Sequence, residues 1–178
     1  MSKLLDFLKE KHIFELSPIT PSPFPQLTAP CLMHISKEQN IDLSWWAVTE
    51  PLVWEKEPFM HDFDQFMFFA GSGTSMDELG GVVEFHLGDE KANMEKLIIT
   101  KPTLIYVKAG MYHCPLIFRE VYDPKKPILF NDISLAGVYR KYKPGSDQPL
   151  GVFDRPIEKT WEKRDAAQMK TGSACELH

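Results

Sequence analysis

The sequence has few cysteines, no long hydrophobic run and no excess of positive charge. Its three cysteines, Cys31, Cys114 and Cys175, have no C-x-x-C spacing. A disulfide framework and a zinc–cysteine site are therefore not expected. Free thiols in a reducing compartment are the simpler interpretation, and we expect a cytoplasmic protein.

Long apolar segments are also missing. No run approaches the roughly 18 residues that a membrane span needs, and charged residues interrupt the N-terminal apolar positions, unlike a signal peptide. The formal net charge of −5 at pH 7 gives no reason to expect nucleic acid or an anionic membrane as a partner. We expect a soluble protein whose partner is a small molecule.

The length and composition indicate one globular domain with extensions at both ends. The chain has 178 residues, of which 43% are hydrophobic and 25% charged, so it can bury a sizeable core. We predict an N-terminal helix and proline-rich arm over residues 1–30 and a barrel over 31–143. A C-terminal loop, helix and tail follow over residues 144–178.

Both extensions contain a helical pattern. Apolar residues at positions 4, 5, 7 and 8 follow Ser2, a suitable N-cap, which predicts a short amphipathic helix over residues 2–12. Five prolines between positions 17 and 30 then predict an extended arm, because each fixes φ and removes a donor. Helix-forming residues after Pro156 predict a C-terminal helix over residues 157–169.

Between the extensions, short apolar runs rich in β-branched and aromatic residues are separated by glycine and proline turns. These runs lie at 32–35, 43–48, 52–57, 65–70, 82–87, 96–100, 103–108, 116–121, 128–130 and 137–142. Their length and spacing, with no helical pattern between them, predict an antiparallel all-β sandwich or barrel. Residues 65–70, nearly all Phe and Met, are expected to be buried on both faces.

Two histidines stand where predicted strands begin or end. His61 directly precedes the run at 65–70 and is followed by Asp64 and Gln65, whereas His113 stands three residues after Gly110. A glycine there can turn the backbone and leave the imidazole facing the barrel interior. Imidazole nitrogens with oxygen donors suit Fe, Mn, Ni, Cu or Zn, so the pattern predicts one divalent transition metal.

The spacing around His113 resembles a signature of the cupin superfamily. The second half of that signature, P-x-G-x-x-H, is matched by Lys108-x-Gly110-x-x-His113, with lysine in place of the usual proline. The resemblance spans residues 45–135. It implies a double-stranded β-helix, or jelly-roll barrel, here with short helical extensions at both termini. It also implies a homodimer, which the proline-rich arm fits.

The first half of the cupin signature, H-x-H followed by Glu and then Gly, is matched in part. His61 takes the place of the second histidine, Phe59 stands at the first, Gln65 stands at the glutamate and Gly71 is the turn glycine. The resemblance therefore implies a metal site with one imidazole fewer and an amide in place of a carboxylate.

Which residue completes the metal site with His61 and His113 is left open among Gln65, Asp64 and Glu84. Glu84 and His86 lie two apart on one predicted strand and share a face, so either could be the missing ligand if that face is inward. Asp64 and Gln65 are adjacent, and only one of them can face inward.

Other side chains are candidates for the pocket. Tyr106 and Glu84 are candidate catalytic groups for moving a proton, and Trp54, Phe66 and His86 are candidate walls of a substrate pocket. Each has an ordinary structural alternative. A buried tyrosine or tryptophan can simply pack in the core or a dimer interface, and an alternating strand with one polar face can be a solvated strand.

The sequence thus predicts a metal-dependent enzyme acting on a small oxygenated substrate. The metal would act as a Lewis acid that polarises a carbonyl, and isomerase, lyase and dioxygenase chemistries all fit. The alternative is a non-catalytic small-molecule binding or sensor barrel with a degenerate metal site. A pure interaction module would instead have a filled barrel near His113.

Overall fold

Two antiparallel sheets form the body of the chain in the computed structural model, which describes residues 3–19, 29–147 and 149–153. One helix precedes them. In chain order the elements are α1 (Lys3–Lys11), β1 (Cys31–Ser36), β2 (Ile41–Val48), β3 (Leu52–Glu55), β4 (Phe59–Met60), β5 (Gln65–Gly71), β6 (Gly81–Gly88), β7 (Met94–Ile99), β8 (Thr103–Val107), β9 (Tyr112–Val121), β10 (Ile128–Ser134), β11 (Tyr139–Tyr142) and β12 (Pro149–Phe153).

The strand order is that of a jelly roll. The first sheet has the order β1-β2-β10-β5-β8, and the second has the order β12-β11-β4-β9-β6-β7 with β3 also paired to β9. We set aside β1, β11 and β12 and count β3 and β4 as one strand, because both pair with β9. Four strands then remain in each sheet, in the orders β2-β10-β5-β8 and β4-β9-β6-β7, which is the arrangement of the eight-stranded double Greek key. This topology confirms the all-β, cupin-like jelly-roll barrel predicted from the sequence.

The structure describes only part of the two predicted extensions. Helix α1 confirms the N-terminal helix, whereas most of the proline-rich arm (residues 20–28) and the C-terminal helix at residues 157–169 lie outside the described residues. Strand β12 pairs with β11, so the second sheet continues past residue 143, where the predicted barrel ends. Within the described ranges, no helix is long and apolar enough to cross a membrane.

Strand β5 shows which side of the first sheet faces the core. Gln65, Met67 and Phe69 are buried, whereas Phe68 is 38% exposed. The prediction that both faces of residues 65–70 are buried is therefore wrong. In a two-layer sandwich only one face of each antiparallel sheet meets the other sheet, and the second face turns away from the core.

The core is strongly aromatic at one end of the strands, which we call the aromatic end. Phe69, Phe118 and Phe130 are almost fully buried there, and Phe69 stacks on Phe130 with ring centroids 4.9 Å apart. Trp54 meets Trp46 edge-on at 4.6 Å and Phe130 at 4.9 Å. Offset and edge-to-face contacts of this kind add to the stabilisation from burial alone.

Candidate metal centre

The other end of the barrel interior, which we call the histidine end, contains His61 and His113. His61 lies between β4 and β5, and its carbonyl accepts a hydrogen bond of 2.8 Å from the amide of Gly110. Gly110 has a φ of 88°, a conformation that glycine adopts without steric cost. The turn at Gly110 thus brings the start of β9 back beside His61, and the two imidazole centroids lie 5.0 Å apart.

Burial keeps both imidazoles neutral. It lowers the pKa of His61 from 6.5 to about 3. It also lowers the pKa of His113 well below its ordinary value, and the neighbouring His61 acts in the same direction. Each ring is only 1% exposed. A neutral imidazole keeps the lone pair that a metal ligand needs.

Three polar atoms at the histidine end have no hydrogen-bond partner. The Nδ1 of His61 donates to the carbonyl oxygen of Arg140 at 2.5 Å, which leaves the Nε2 lone pair free. That Nε2, the Nδ1 of His113 and the Oε1 of Gln65 are all buried, and none of them has a hydrogen-bond partner among the described residues. Leaving one such atom unpaired costs about 1–3 kcal/mol, so the three together indicate a place for a ligand.

Asp132 fixes which atom of Gln65 is left unpartnered. The Nε2 of Gln65 donates to Asp132 Oδ1 at 2.8 Å, so the amide oxygen is the free end. Burial raises the pKa of Asp132 from 3.8 to about 7, and the nearby carboxylate of Asp42 acts in the same direction. Asp132 was not predicted as a site residue, because the predicted strand ended at residue 130. Extending the alternation from Phe130 places Asp132 on the inner face.

Aromatic rings enclose the histidine pair. Phe63 stacks on His61 at 4.5 Å and Tyr139 meets it edge-on at 4.5 Å. Burial, with the charge of Asp132 second, raises the pKa of Tyr139 well above its ordinary value, so its hydroxyl holds its proton. Tyr139 is a second residue that was not predicted for the site, because its place in a predicted strand was its only signal.

Phe59 occupies the position where the cupin pattern has its first histidine. Its ring lies 4.5 Å from His113 and 5.1 Å from His61, centroid to centroid. The Nζ of Lys141 lies 4.1 Å from the centre of the Phe59 ring and pairs with Glu55 at 2.7 Å. An apolar ring therefore fills this position, and it supplies no ligand.

Glu84 and His86 lie on the opposite face of β6 from the histidine end. Val83 and Phe85, their neighbours in the strand, are completely buried in the core. Glu84 instead accepts hydrogen bonds from His86 at 2.8 Å and from Arg119 at 2.6 Å. The predictions of Glu84 as ligand or catalytic group and of His86 as pocket wall are not supported, because the side chains of β6 alternate and its core face is apolar.

Tyr106 and Phe66 also face outward. Their rings stack on the outer side of the first sheet with centroids 5.1 Å apart. The hydroxyl of Tyr106 donates to Asp64, which also accepts a hydrogen bond from the amide of Ala109. Because Gln65 faces the core, its neighbours Asp64 and Phe66 turn away. The structure thus separates Tyr106, Phe66 and Asp64 from the two histidines.

Trp54 belongs to the aromatic end. Its ring contacts are with Trp46, Phe118 and Phe130, and Phe118 stands five positions after His113 along β9. The prediction of Trp54 as the wall of a pocket beside the histidines gives way to its structural alternative, packing in the core. Of the side chains predicted for the site, His61 and His113 lie together, and Gln65 is buried on the core face of β5.

The donor set fits a divalent transition metal held by few protein ligands. Two neutral imidazole nitrogens and one amide oxygen are acceptable to the ions that the sequence suggests. Among the described residues, no group of three or more His, Cys, Asp or Glu side chains could hold a metal. Gln65 is the candidate for a third donor, because its buried amide oxygen has no hydrogen-bond partner among the described residues.

Fold and site together define a cupin-like jelly roll with a buried histidine pair. Solved structures that it resembles include a tryptophan-to-tyrosine variant of Bacillus subtilis oxalate decarboxylase, with TM-score 0.45 and 10% identity over 92% of this chain and 38% of that one. The oxalate decarboxylase formate complex of Lactobacillus farciminis gives TM-score 0.44 and 11% identity over 72% and 33% of the two chains.

The chain therefore spans little more than a third of the length of these enzymes. At such TM-scores the likeness carries no inference about activity, and the fold rests on the strand topology instead. No protein-family model matches the sequence, and no curated protein matches it.

Proposed function

We propose that the histidine end binds one divalent transition metal through His61, Gln65 and His113, and that the chain is a metal-dependent enzyme acting on a small oxygenated molecule. The observation that carries this proposal is the set of three buried atoms without a hydrogen-bond partner. Hydrogen bonds to Arg140 and Asp132 hold the side chains of His61 and Gln65 in place, and both histidines are neutral.

The side chains around the site suit binding and proton transfer. When bound, the ion would supply Lewis acidity at a carbonyl or hydroxyl oxygen of the substrate. Asp132, with a pKa of about 7, can hold or release a proton near neutral pH. Tyr139 keeps its proton and can donate a hydrogen bond to a ligand. Isomerase, lyase and dioxygenase reactions are all compatible with these groups.

The test is the metal content of the protein purified without chelator. We expect close to one transition metal ion per chain, lost in His113→Ala and in His61→Ala. The matched control is His86→Ala, which removes an imidazole from the outer face of β6 and should leave the metal content unchanged. Substoichiometric metal in the unmodified protein, or equal metal in the His113→Ala variant, would contradict the proposal.

A second candidate is a non-catalytic barrel that binds a small molecule without metal. The observation that favours it is Phe59, which packs on both imidazoles at a position where the cupin pattern has a ligand. In that case the unpartnered atoms would hydrogen-bond directly to a polar ligand. Metal-free protein that is stabilised against heat by small carboxylic or hydroxy acids, with the stabilisation lost in Gln65→Met, would favour this candidate.

A further inference from the structure

Solvent does not reach either imidazole of the histidine end. His61 and His113 are each 1% exposed, and the ring nitrogens that would bind a ligand, His61 Nε2 and His113 Nδ1, are buried. Protein interiors are packed too densely for a ligand to pass between fixed side chains. A metal ion or a small molecule therefore reaches these nitrogens only when part of the barrel moves.

The rings packed on His61 belong to segments that are held with different firmness. Phe59 and His113 lie opposite each other in the paired strands β4 and β9. Phe63 lies in a loop that hydrogen bonds tie to two other segments of the barrel. Tyr139 instead lies at the start of β11, which has a much shorter connection to the barrel.

Among the described strands, β11 joins the barrel at one ladder position, where Tyr142 pairs with Met60. Its other edge pairs with β12, the last strand of the second sheet. Strand β10, by comparison, is paired with β5 along its whole length. A short hairpin at the edge of a sheet opens at a lower free energy than centrally paired strands, so β11 and β12 are the part of the enclosure most able to move.

Side chains clasp β11 on both of its faces. On the outer side, Asp62 accepts hydrogen bonds from Arg140 at 2.7 Å and from Tyr142 at 3.2 Å. On the inner side, Lys141 pairs with Glu55 at 2.7 Å. The side chains of Arg140 and Asp62 are both about one-third exposed, and ion pairs in contact with water contribute little net stability. Such a clasp can open and close reversibly.

The chain is anchored just before β11. The amide of Gly137 donates to the side chain of Asn40 at 3.0 Å, and a Cβ at Gly137 would lie only 2.6 Å from the Cα of Lys37. Gly137 is therefore packed against the turn between β1 and β2 and stays with the barrel. The backbone at Val138 is the first place where the hairpin can bend away.

We propose that the β11–β12 hairpin is a lid, which bends at Val138 to admit a ligand to the histidines and completes their site when it closes. The carbonyl of Arg140 accepts a hydrogen bond from His61 Nδ1. Closure thus keeps the proton on Nδ1 and leaves the lone pair on Nε2 for the ligand. Opening removes both this acceptor and the cover of Tyr139. The movement is independent of the ligand, whereas its role in metal binding rests on the proposed function.

The test is the rate at which diethyl pyrocarbonate labels histidines in chelator-treated protein, with the labelled positions located by peptide mass spectrometry. A disulfide in Met60→Cys/Tyr142→Cys locks the lid, because these ladder partners have the Cα spacing that a disulfide needs. We expect His61 and His113 to be labelled at least about tenfold more slowly in the locked protein than after its reduction, because labelling then requires a larger opening. His86, on the outer face of β6, should be labelled equally in both states.

A second disulfide is the matched control. Ala70→Cys/Leu129→Cys joins ladder partners on the outer side of β5 and β10, and we expect it to leave the labelling of both histidines unchanged. Cys175 is replaced by Ser in every protein of the series, so that it cannot exchange with the introduced pair. Equal slowing by the two disulfides would show that the histidines are reached by global unfolding, and this would overturn the lid.

A loosening variant acts in the opposite direction. Asp62→Ala removes the outer clasp and leaves the inner face of β11 intact, so labelling of His61 should become roughly threefold faster, as loss of an exposed ion pair allows. The midpoint of urea denaturation should change little. Unchanged labelling in both Asp62→Ala and the locked protein would overturn the lid.

The hydrogen bond to Arg140 has its own readout. In the locked, metal-free protein, the ¹⁵N chemical shifts of the His61 ring should report a proton on Nδ1, and a proton on Nε2 would overturn the role of Arg140. Failure of the lid is distinct from failure of the metal site, because no metal is present in these measurements. Labelling that the lock slows supports the lid even in a chain that binds no metal, and labelling that the lock leaves unchanged overturns the lid even in a chain that binds one.

Discussion

The aromatic end and the histidine end are built from the same strands, only a few residues apart. Along β10 the inner side chain changes from Phe130 to Asp132, and along β5 it changes from Phe69 to Gln65. The aromatic end is filled by packed rings, whereas at the histidine end three buried polar atoms have no hydrogen-bond partner in the part of the chain that the structure describes. The comparison indicates that stability comes mainly from one end and ligand binding from the other.

The largest expected effect is at the aromatic end. Replacing Phe130 with Ala removes a ring that contacts Phe69, Phe118 and Trp54. We expect the free energy of unfolding to fall by about 3–5 kcal/mol, as for other buried phenylalanines. Urea denaturation measures this loss. Metal content per folded chain should not change, and a parallel loss of metal would show that the two ends are not separable.

The next effect concerns the charge at the histidine end and is expected in chelator-treated protein. Because the pKa of Asp132 is raised from 3.8 to about 7 in the folded state, its stabilising contribution is fully present below pH 3.8 and is lost as the pH rises through 7. Asp132→Asn should therefore match the wild type at pH 4 and be more stable at pH 8.

The gap between 3.8 and about 7 sets an upper limit of about 4 kcal/mol on that difference. Thermal melting at a series of pH values measures it, and Asp42→Asn is a partial control because it removes a charge that raises the pKa of Asp132. A stability difference independent of pH would show that Asp132 is already paired when ionised.

Gln65 offers a change of ligand strength at constant shape. Gln65→Glu places a carboxylate where a buried amide oxygen now has no partner among the described residues. We expect metal to bind at least about tenfold more tightly, or about 1.4 kcal/mol. Gln65→Met, which keeps the size and removes the oxygen, should weaken binding. Calorimetric titration with the metal found in the purified protein measures both. Equal metal affinities of the unmodified protein and both variants would show that Gln65 is not a metal ligand.

The smallest effect is expected outside the barrel. Hydrogen bonds from His86 and Arg119 lower the pKa of Glu84, so its stabilising contribution is present above pH 4.5 and is lost as the pH falls through the lowered value. Glu84→Gln should destabilise the fold by at most about 1 kcal/mol at neutral pH, since Arg119 is half exposed. Metal content should stay the same. A loss of metal in this variant would indicate that Glu84 is a metal ligand after all.

Sequence patterns predicted the parts of this molecule that depend on local spacing. The β-strand runs, the turn at Gly110 and the candidate pair His61 and His113 were visible in the sequence, because turns and ligand spacing are local. The sequence did not show whether Gln65 or Phe66 faces the core, because the rest of β5 is apolar on both faces. At Glu84, the apolar neighbours Val83 and Phe85, which are both buried, indicate that the side chain of Glu84 points outward.

The end of β10 is set by tertiary pairing. Residues up to Ser134 pair with β2 and β5, although the local sequence Asn131-Asp132 disfavours a strand. The sequence therefore missed Asp132, the partner of Gln65. The cytoplasmic location, the substrate and the homodimer remain predictions.

The most direct test of the central claim is anomalous X-ray diffraction at the absorption edge of the metal that the purified protein carries. We predict a single peak in the histidine end, within about 2.0–2.2 Å of His61 Nε2 and His113 Nδ1 and close to Gln65 Oε1. A barrel with no peak between the two imidazoles, or a peak beside Glu84 and His86 on the outer face of β6, would contradict it.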